Sequence, residues 1–380
     1  MKEYFFEMEE IKIPIYLMDK MEEIADNITE HECNKVLLLY DNNIDDKLVS
    51  ELENIINKKI LCSKIGVHID EKTKNLQMVS NLIESILEHK ANRKTIIVAV
   101  GGGVVGNVVG MVAGLAFRGL SLIHIPTTIV AATDSILSIK QAVNTLYGKN
   151  LAGVYYCPDS VLISNDFFRT LPRRDYHAGL AETVKNLLAI IPEEIPIFKD
   201  KIKDLTYNSE DLRYIFEISF LAKQKVLLND KYEKQSGIVL EYGHTIGHAI
   251  EVVIQGKVRH GEAIAFGMLV AAEISNELGF LSDDEVQIHY ELLNMINVYE
   301  KLYLLKDCSV EKVIDIMRYD NKRTKIDNQK ISLVILKKLG ECYSNGYSDL
   351  LEIDAEIIID KMNSVKRKLN KYIGATFDAE

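Results

Sequence analysis

Three of the nine histidines fall in one short stretch, EYGHTIGHAIE followed by HGEAIAFGM, at His244, His248 and His260. Imidazole nitrogens together with a carboxylate are what a divalent ion such as zinc or cobalt takes as ligands. The i, i+4 spacing of His244 and His248 puts both on one face of a helix, so spacing alone makes both of them ligands beside His260, with Glu251 and Glu262 close by in sequence. The plainer reading of such a pair is one satisfied helix residue and one cap; three histidines clustered with two acids weigh towards a metal. A second set is rich in glycine. Gly101, Gly103 and Gly106 satisfy GxGxxG directly after the apolar run TIIVAV and before a stretch of small residues. In that setting backbone N–H groups at a helix N-terminus can face a pyrophosphate with no Cβ in the way. Gly106, Gly110 and Gly114 would equally allow the helix to pack closely on a sheet. The acid expected about 20 residues later in an ordinary dinucleotide fingerprint is missing, because the chain reads SLIHIPTT there. Asp41, at the end of VLLLY, is the better candidate for an adenosine ribose, although an aspartate at that place is also a common turn former.

A third set comprises Asp134, Lys140, Asn144, Lys149 and Asn150, gathered in DSILSIKQAVNTLYGKN, a segment otherwise small and apolar. Lysines in such company want an anion, and solvated loop lysines are the alternative. Glu182 and Lys185 stand three apart in GLAETVKN and could be a surface ion pair, and Lys223 and Lys322 default to the surface.

The elements that must position these groups change character along the chain. Strand-like runs at Val36–Tyr40, around Ile60–Val67, at Thr95–Val100 and at Leu122–Ile125 alternate with helical periods at Asp46–Asn57 and Leu76–His89. TIIVAV is continuous, as in a strand buried on both faces. After the TLPRR turn the periods become helical: His177–Ile190, Asp211–Asn229, His244–Ile254, Glu262–Leu278, Asp283–Ile296 and Ala355–Leu369. The expected division is an α/β domain over residues 1–175 and a mainly helical one over 176–380, with YIGATFDAE as a frayed tail.

Composition narrows the class. With 45 basic and 56 acidic side chains the net charge is −11, and 47% of residues are hydrophobic and 27% charged, a globular composition. An acidic chain without a basic patch is a poor partner for nucleic acid or an anionic membrane. The five scattered cysteines, none in a CxxC pair, fit neither a disulfide framework nor a zinc knuckle and suit a reducing cytoplasm. The start, MKEYFFEMEEIKIP, lacks the basic and apolar regions of a signal peptide. The longest apolar stretches, Val104–Phe117 (interrupted by Asn107) and Ala263–Ala272, fall short of the roughly 20 residues that span a bilayer and read as buried helices.

Taken in order, GGGVVGN, the PTT after LIHI, the DSxxxxK segment with GKN, GLAExxK, GHTIGHAIE and HGEAIAFGM resemble the sugar-phosphate cyclases, the superfamily of 3-dehydroquinate synthase, over roughly residues 36–340. Within it, SIKQAVN, EYGHTIGHAIE and DNKR are similar to the branch that begins 2-deoxystreptamine aminoglycoside biosynthesis. The resemblance implies an N-terminal Rossmann-like NAD-binding α/β domain, a C-terminal α-helical metal-binding domain, and an active site in the cleft between them. It implies one divalent ion, cobalt or zinc, on Glu182, His244 and His260. That corrects the spacing argument, because His248 then matches a position that hydrogen-bonds substrate phosphate and helps proton transfer. For NAD it implies Asp41, Glu71 and Lys74 near the adenosine ribose, although IDEKTK lacks the usual glycines before that acid. Gly102, Gly103 and Val104 would face the pyrophosphate, and Thr127, Thr128 and Asp134 the rest of the cofactor or the substrate hydroxyls. Lys140, Lys149, Asn150, Lys185, Lys223 and Lys322 align with substrate-contacting positions, with Lys149 also at the cofactor. Arg118 aligns with an arginine that reaches into a neighbouring subunit's site, which implies a homodimer.

Two departures bear on the substrate. Dehydroquinate synthases carry an arginine and an asparagine just before GHTIGH, where this chain has Gly237 and Glu241, and two glycines where it has Ser138 and Ile139. Losing a cation and gaining an acid suits a neutral polyhydroxy ring and disfavours a second anion on the substrate. The expected reaction is a phosphate-eliminating lyase one, D-glucose 6-phosphate to 2-deoxy-scyllo-inosose and phosphate. It runs through transient oxidation at C4, elimination, re-reduction, ring opening and aldol closure, with Lys140, His248 and Glu241 as proton-handling groups. The rivals are 3-dehydroquinate synthase or another cyclase of the superfamily, a metal-dependent polyol dehydrogenase that would accumulate NADH, and a non-catalytic NAD or sugar-phosphate binding subunit.

Overall fold

The computed structural model describes residues 1–146, 148–204, 208–318, 329–346 and 349–373. The chain divides into two compact units, Met1–Pro172 with Tyr207–Phe220, and Arg173–Thr206 with Leu221–Glu380. It first passes from one to the other at Pro172–Arg173, so residues 175 and 176, the expected boundary, both lie within the first turns of a helix.

The first unit is built on a seven-stranded sheet. Its strands are β1 (Lys2–Met8), β2 (Ile11–Met18), β3 (Lys35–Asp41), β4 (Cys62–Val67), β5 (Thr95–Gly101), β6 (Ser121–Pro126) and, after a separate hairpin, β9 (Ser160–Ser164), in the order β1-β2-β9-β6-β5-β3-β4. All neighbours are parallel except β1, which pairs antiparallel with β2 at one edge. The β-branched and leucine runs form the middle because every residue of β5 and the first five of β3 are buried, which only a sheet covered on both faces allows. Helices α1 (Met21–Glu30), α2 (Asp46–Asn57), α3 (Leu76–Glu88) and α4 (Gly103–Leu115) supply that cover. Asp45 and Asn75 start α2 and α3 by accepting N–H groups of Lys47 and Met78.

Two hairpins were not legible from the periodicity. One is β1–β2, turning at Glu9 with φ 52°. The other is β7 (Lys140–Thr145) with β8 (Gly148–Tyr155), formed by the lysine-bearing segment and lying against α4. Gln141 sits against Gly110, where a Cβ would come within 2.2 Å of its side-chain oxygen, so Gly110 does serve the close approach.

The second unit is helical, as the periods predict: α5 (Arg173–Ala189), α6 (Ile195–Lys201), α8 (His244–Ile254), α9 (His260–Glu277), α10 (Asp283–Met295), α11 (Val310–Met317) and α12 (Ala355–Ile373). Helix α7 (Ser209–Leu227) is shared between the units, its end from Leu221 belonging here. Short strands β10 (Lys330–Leu333) with β13 (Leu351–Asp354), and β11 (Leu336–Lys338) with β12 (Glu341–Cys342), complete it. Helix α9 is the core of this unit, with every residue from Gly261 to Ser275 buried. Helices α5, α8, α10 and α12 all pack on it. No described helix is long and apolar enough to cross a membrane.

Candidate metal centre and dinucleotide loop

In the second unit, α5, α8 and α9 bring Glu182, His244 and His260 together. Glu182 is fully buried, and its Oε1 lies 3.4 Å from His244 Nε2 and 3.1 Å from His260 Nε2. The other ring nitrogen of each histidine is held from behind. His244 Nδ1 is 3.2 Å from the Tyr242 carbonyl, and His260 Nδ1 is 3.2 Å from Glu251 Oε2. A carbonyl and a carboxylate can only accept, so each Nδ1 donates and each Nε2 is turned towards Glu182, which is the nitrogen that a metal would take. The His248 ring lies against both others, 5.2 Å from His244 and 5.7 Å from His260 between centroids. The ligand atoms of the three histidines fall within 4.8 Å of one another.

Local sequence explains the convergence. Gly261 lets α9 cross α5 so closely that a Cβ there would stand 1.7 Å from the Ala178 carbonyl oxygen, one turn before Glu182. The first turn of α9 is pinned by Glu262, which accepts from the Arg259 backbone N–H at 2.7 Å and pairs with Arg174 through both carboxylate oxygens, at 2.7 and 2.8 Å. Glu262 is therefore a helix cap and an arginine partner, not a member of the metal group that its position in sequence suggested. Glu251, the other acid, does join it. Its place at i+7 from His244, on the face that already holds His248, is the signal that marks it.

The electrostatics fit a cation. Burial alone would raise the Glu182 carboxyl, but the Lys185 ammonium 2.5 Å from Oε2 and the two imidazoles outweigh it and hold the carboxyl well below the usual range. Burial likewise works against a charged His260, and the carboxylates of Glu251 and Glu182 reverse it, lifting the imidazole to about 10. Protons stand here where a divalent ion would serve as counter-charge. Two imidazoles and a carboxylate are donors that suit a borderline ion such as cobalt or zinc. Lys185 is 1% exposed and Lys223 3%, so neither is the surface residue that spacing alone implied. Glu241 ends a short 3₁₀ turn, Ser236–Glu241, three residues before His244.

In the first unit β5 runs straight into α4 through Gly102, as the glycine spacing predicts. Gly102 caps α4 with no side chain, and the first bond of the helix, Gly106 N–H to Gly102 O at 2.9 Å, leaves the N–H groups of Gly103, Val104 and Val105 without carbonyls inside the helix. A Cβ at Gly102 would press on Thr128 at 3.2 Å and one at Gly103 on Ser135 at 3.0 Å. This is a cradle that any larger residue would fill, and it fits a pyrophosphate. Asn107, the polar interruption in the apolar run, donates to the Gly103 carbonyl and accepts from the Ala142 N–H, tying the β7–β8 hairpin to this helix. Only that interruption marked it in the sequence.

The hairpin meets the IDEKTK loop. Lys74, buried, donates to Asn150 Oδ1 at 2.6 Å; Glu71 accepts from Asn144 and stands 3.5 Å from Lys149. Glu71, Lys74, Asn144, Lys149 and Asn150 thus form one patch. Asp41 lies at the end of β3, where its Oδ1 accepts from the backbone and side chain of Asn43, so it does shape the turn. Thr127 is buried, Asp134 lies on one turn of π-helix, and Lys140 opens β7 after Ser138 and Ile139. Arg118 is exposed on a turn in which Phe117 and Arg118 both take positive φ, 55° and 67°. Lys322 lies outside the described residues.

Comparison with known proteins gives this geometry its context. The family models for the 3-dehydroquinate synthase N-terminal and C-terminal regions match residues 64–178 and 179–323. A 2-deoxy-scyllo-inosose synthase of Micromonospora echinospora is 37% identical over 347 residues, covering 90% of this chain and 87% of that one. One from Streptomyces ribosidificus is 42% identical over 301 residues, covering 78% and 76%. The crystal structure of a 2-deoxy-scyllo-inosose synthase complexed with carbaglucose-6-phosphate, NAD+ and Co2+ superposes with a TM-score of 0.88 at 33% identity, covering 96% of this chain and 99% of that one. From these matches over most of its length, the chain belongs to the 2-deoxy-scyllo-inosose synthase family, within the 3-dehydroquinate synthase superfamily.

Proposed function

We propose that the protein converts D-glucose 6-phosphate to 2-deoxy-scyllo-inosose and phosphate, as a metal-dependent carbon–oxygen lyase with catalytic NAD, in a 2-deoxystreptamine pathway. The observation that carries the reading is Glu182 Oε1 facing Nε2 of both His244 and His260, in a chain aligned along most of its length with inosose synthases. A structure of that name with a glucose 6-phosphate analogue, NAD+ and Co2+ supports the substrate and cofactors. The alternative of a dehydroquinate synthase is disfavoured by Gly237 and Glu241. At Gly237 the backbone N–H donates to Asp230 Oδ2 at 2.8 Å, and a Cβ would stand 2.8 Å from Glu233 and 3.0 Å from Asp230, so no side chain fits there to meet a second anion.

Glu182, His244 and His260 would hold the ion, and Gly102, Gly103, Val104, Thr127, Thr128, Asp41, Glu71, Lys74 and Lys149 would hold NAD. Bound there, NAD would supply reversible hydride acceptance at C4 and the ion Lewis acidity at the C4 oxygen, chemistry that would acidify the C5 proton. The chain's own residues do the rest. The reading assigns Lys140, Asn150, Lys223, His248 and Lys322 to the leaving phosphate, whose own oxygen would remove the C5 proton. Asp134 and Lys185 orient ring hydroxyls. Lys140, His248 and Glu241 carry the proton transfers of ring opening and aldol closure. Arg118, exposed on its strained turn, extends to a second copy in a homodimer. Five scattered cysteines with no CxxC pair suit a cytoplasmic location.

The test is phosphate release from glucose 6-phosphate with NAD, without net NADH, abolished by chelator and restored by cobalt. Net NADH accumulation would turn the reading to a polyol dehydrogenase, and no turnover with tight NAD binding to a non-catalytic subunit.

A further inference from the structure

The carbonyl that orients His244 is itself held by a buried pair outside the metal group. Tyr242 has φ −57° and ψ 122°, and Gly243 has φ 79° and ψ −14°. These are the central angles of a type II turn, which needs glycine at its second central place and turns the carbonyl of the first to one side. Here that carbonyl receives His244 Nδ1–H at 3.2 Å. The turn cannot slide, because a Cβ on Gly243 would press within 2.8 Å of the Met268 backbone and 2.9 Å of the Ile264 carbonyl on α9. Its ring is fully buried, and the Tyr242 hydroxyl lies 3.0 Å from His289 Nε2 on α10. His289 Nδ1 is 2.8 Å from the Glu285 carbonyl, so it is the donor there and Nε2 is left to accept from Tyr242. Burial keeps this imidazole neutral, with its pKa near 4, which is what that tautomer requires. A line of contacts therefore runs from the α10 backbone through the His289–Tyr242 bond and the Tyr242 backbone to His244 Nδ1, while His244 Nε2 faces Glu182.

We propose that Tyr242 and His289 are positioning residues for the metal centre: the hydroxyl–imidazole bond fixes the turn whose carbonyl aims His244 at the ion. The proposal rests on the reading of Glu182, His244 and His260 as a metal centre. Neither residue touches the ion, and partners behind a ligating histidine commonly tune affinity by 10–100-fold.

The test is cobalt binding by the purified full chain, measured by chelator competition and by the visible d–d absorption of the bound ion, for wild type, Tyr242→Phe and Tyr242→Phe/His289→Leu. Absence of cobalt binding to wild type would overturn the metal centre itself. Given wild-type binding, Tyr242→Phe should weaken it about tenfold and shift the absorption band. That variant also leaves His289 Nε2 buried without its donor, a structural fault that the double variant removes. The double variant should regain the wild-type urea midpoint while its cobalt affinity stays weakened. An affinity that returns together with stability, or that is never lost in Tyr242→Phe, overturns the positioning role and leaves the pair as ordinary packing.

Discussion

Replacing Gly261 by alanine separates the geometry of the site from the stability of the helices that carry it. The Cβ would stand 1.7 Å from the Ala178 carbonyl oxygen and 2.6 Å from its carbon, both backbone atoms of α5 that cannot rotate away. Side-chain carbons do not approach an oxygen closer than about 3 Å, so α9 must move off α5 by more than about an ångström. Overpacking of this kind costs roughly 1–3 kcal/mol. The larger consequence falls on His260, the preceding residue, because its Nε2 would retreat from a Glu182 oxygen now 3.1 Å away. Losing the alignment of one of three ligands should weaken cobalt binding by about a hundredfold, the upper end of what disturbed ligand orientation costs. Gly279→Ala is the control. Gly279 has φ 77° but nothing within 4 Å of a Cβ, so alanine there costs only about 1 kcal/mol of backbone strain and leaves the site alone. Chelator competition gives the affinities and urea unfolding the stabilities. If Gly261→Ala bound cobalt as tightly as Gly279→Ala at equal loss of stability, the helix crossing would not be what seats His260.

Three further outcomes follow from the same geometry. His244→Ala should lose bound metal and turnover together, and unchanged metal content in that variant would remove His244 from the ligand set. Stability should fall as the pH drops from 6.5 towards 4. Burial holds His124 and His289 at about 4, so in that window the unfolded chain binds protons that the folded chain does not, by up to about 3 kcal/mol for each group. Unfolding His124→Asn across this range should give a shallower slope than wild type; an equal slope would mean that His124 does not titrate on unfolding. Arg174→Met, which removes the partner of Glu262 at the start of α9, should lower both the urea midpoint and cobalt affinity, whereas a change in the midpoint alone would confine Arg174 to stability.

The alternation of apolar runs and helical periods located β3 to β6 and most of the long helices to within a few residues, because those runs are buried on both faces or carry one apolar stripe. It missed the β7–β8 hairpin. Gln141, Ala142 and Asn144 face a helix and a loop instead of a core, so the period of two is blurred there. The histidine cluster was visible as composition, and spacing grouped all three histidines as the structure does, yet it also drew in Glu262 and left Glu182 on the surface. Glu182 comes from another helix, and only the crossing permitted by Gly261 brings it in, a contact with no local signature beyond the glycine itself. Tyr242 and Asn107 act on backbone groups, and Arg174 acts on a glutamate far along the chain, so their side chains gave little sign of what they position.

The most direct measurement offers the purified protein, with NAD and cobalt, either glucose 6-phosphate or 3-deoxy-arabino-heptulosonate 7-phosphate, following phosphate and NADH absorbance together. Phosphate from glucose 6-phosphate with no net NADH is the predicted result. Phosphate from the heptulosonate alone would contradict it, and would return Gly237 and Glu241 to a site that accepts a second anion.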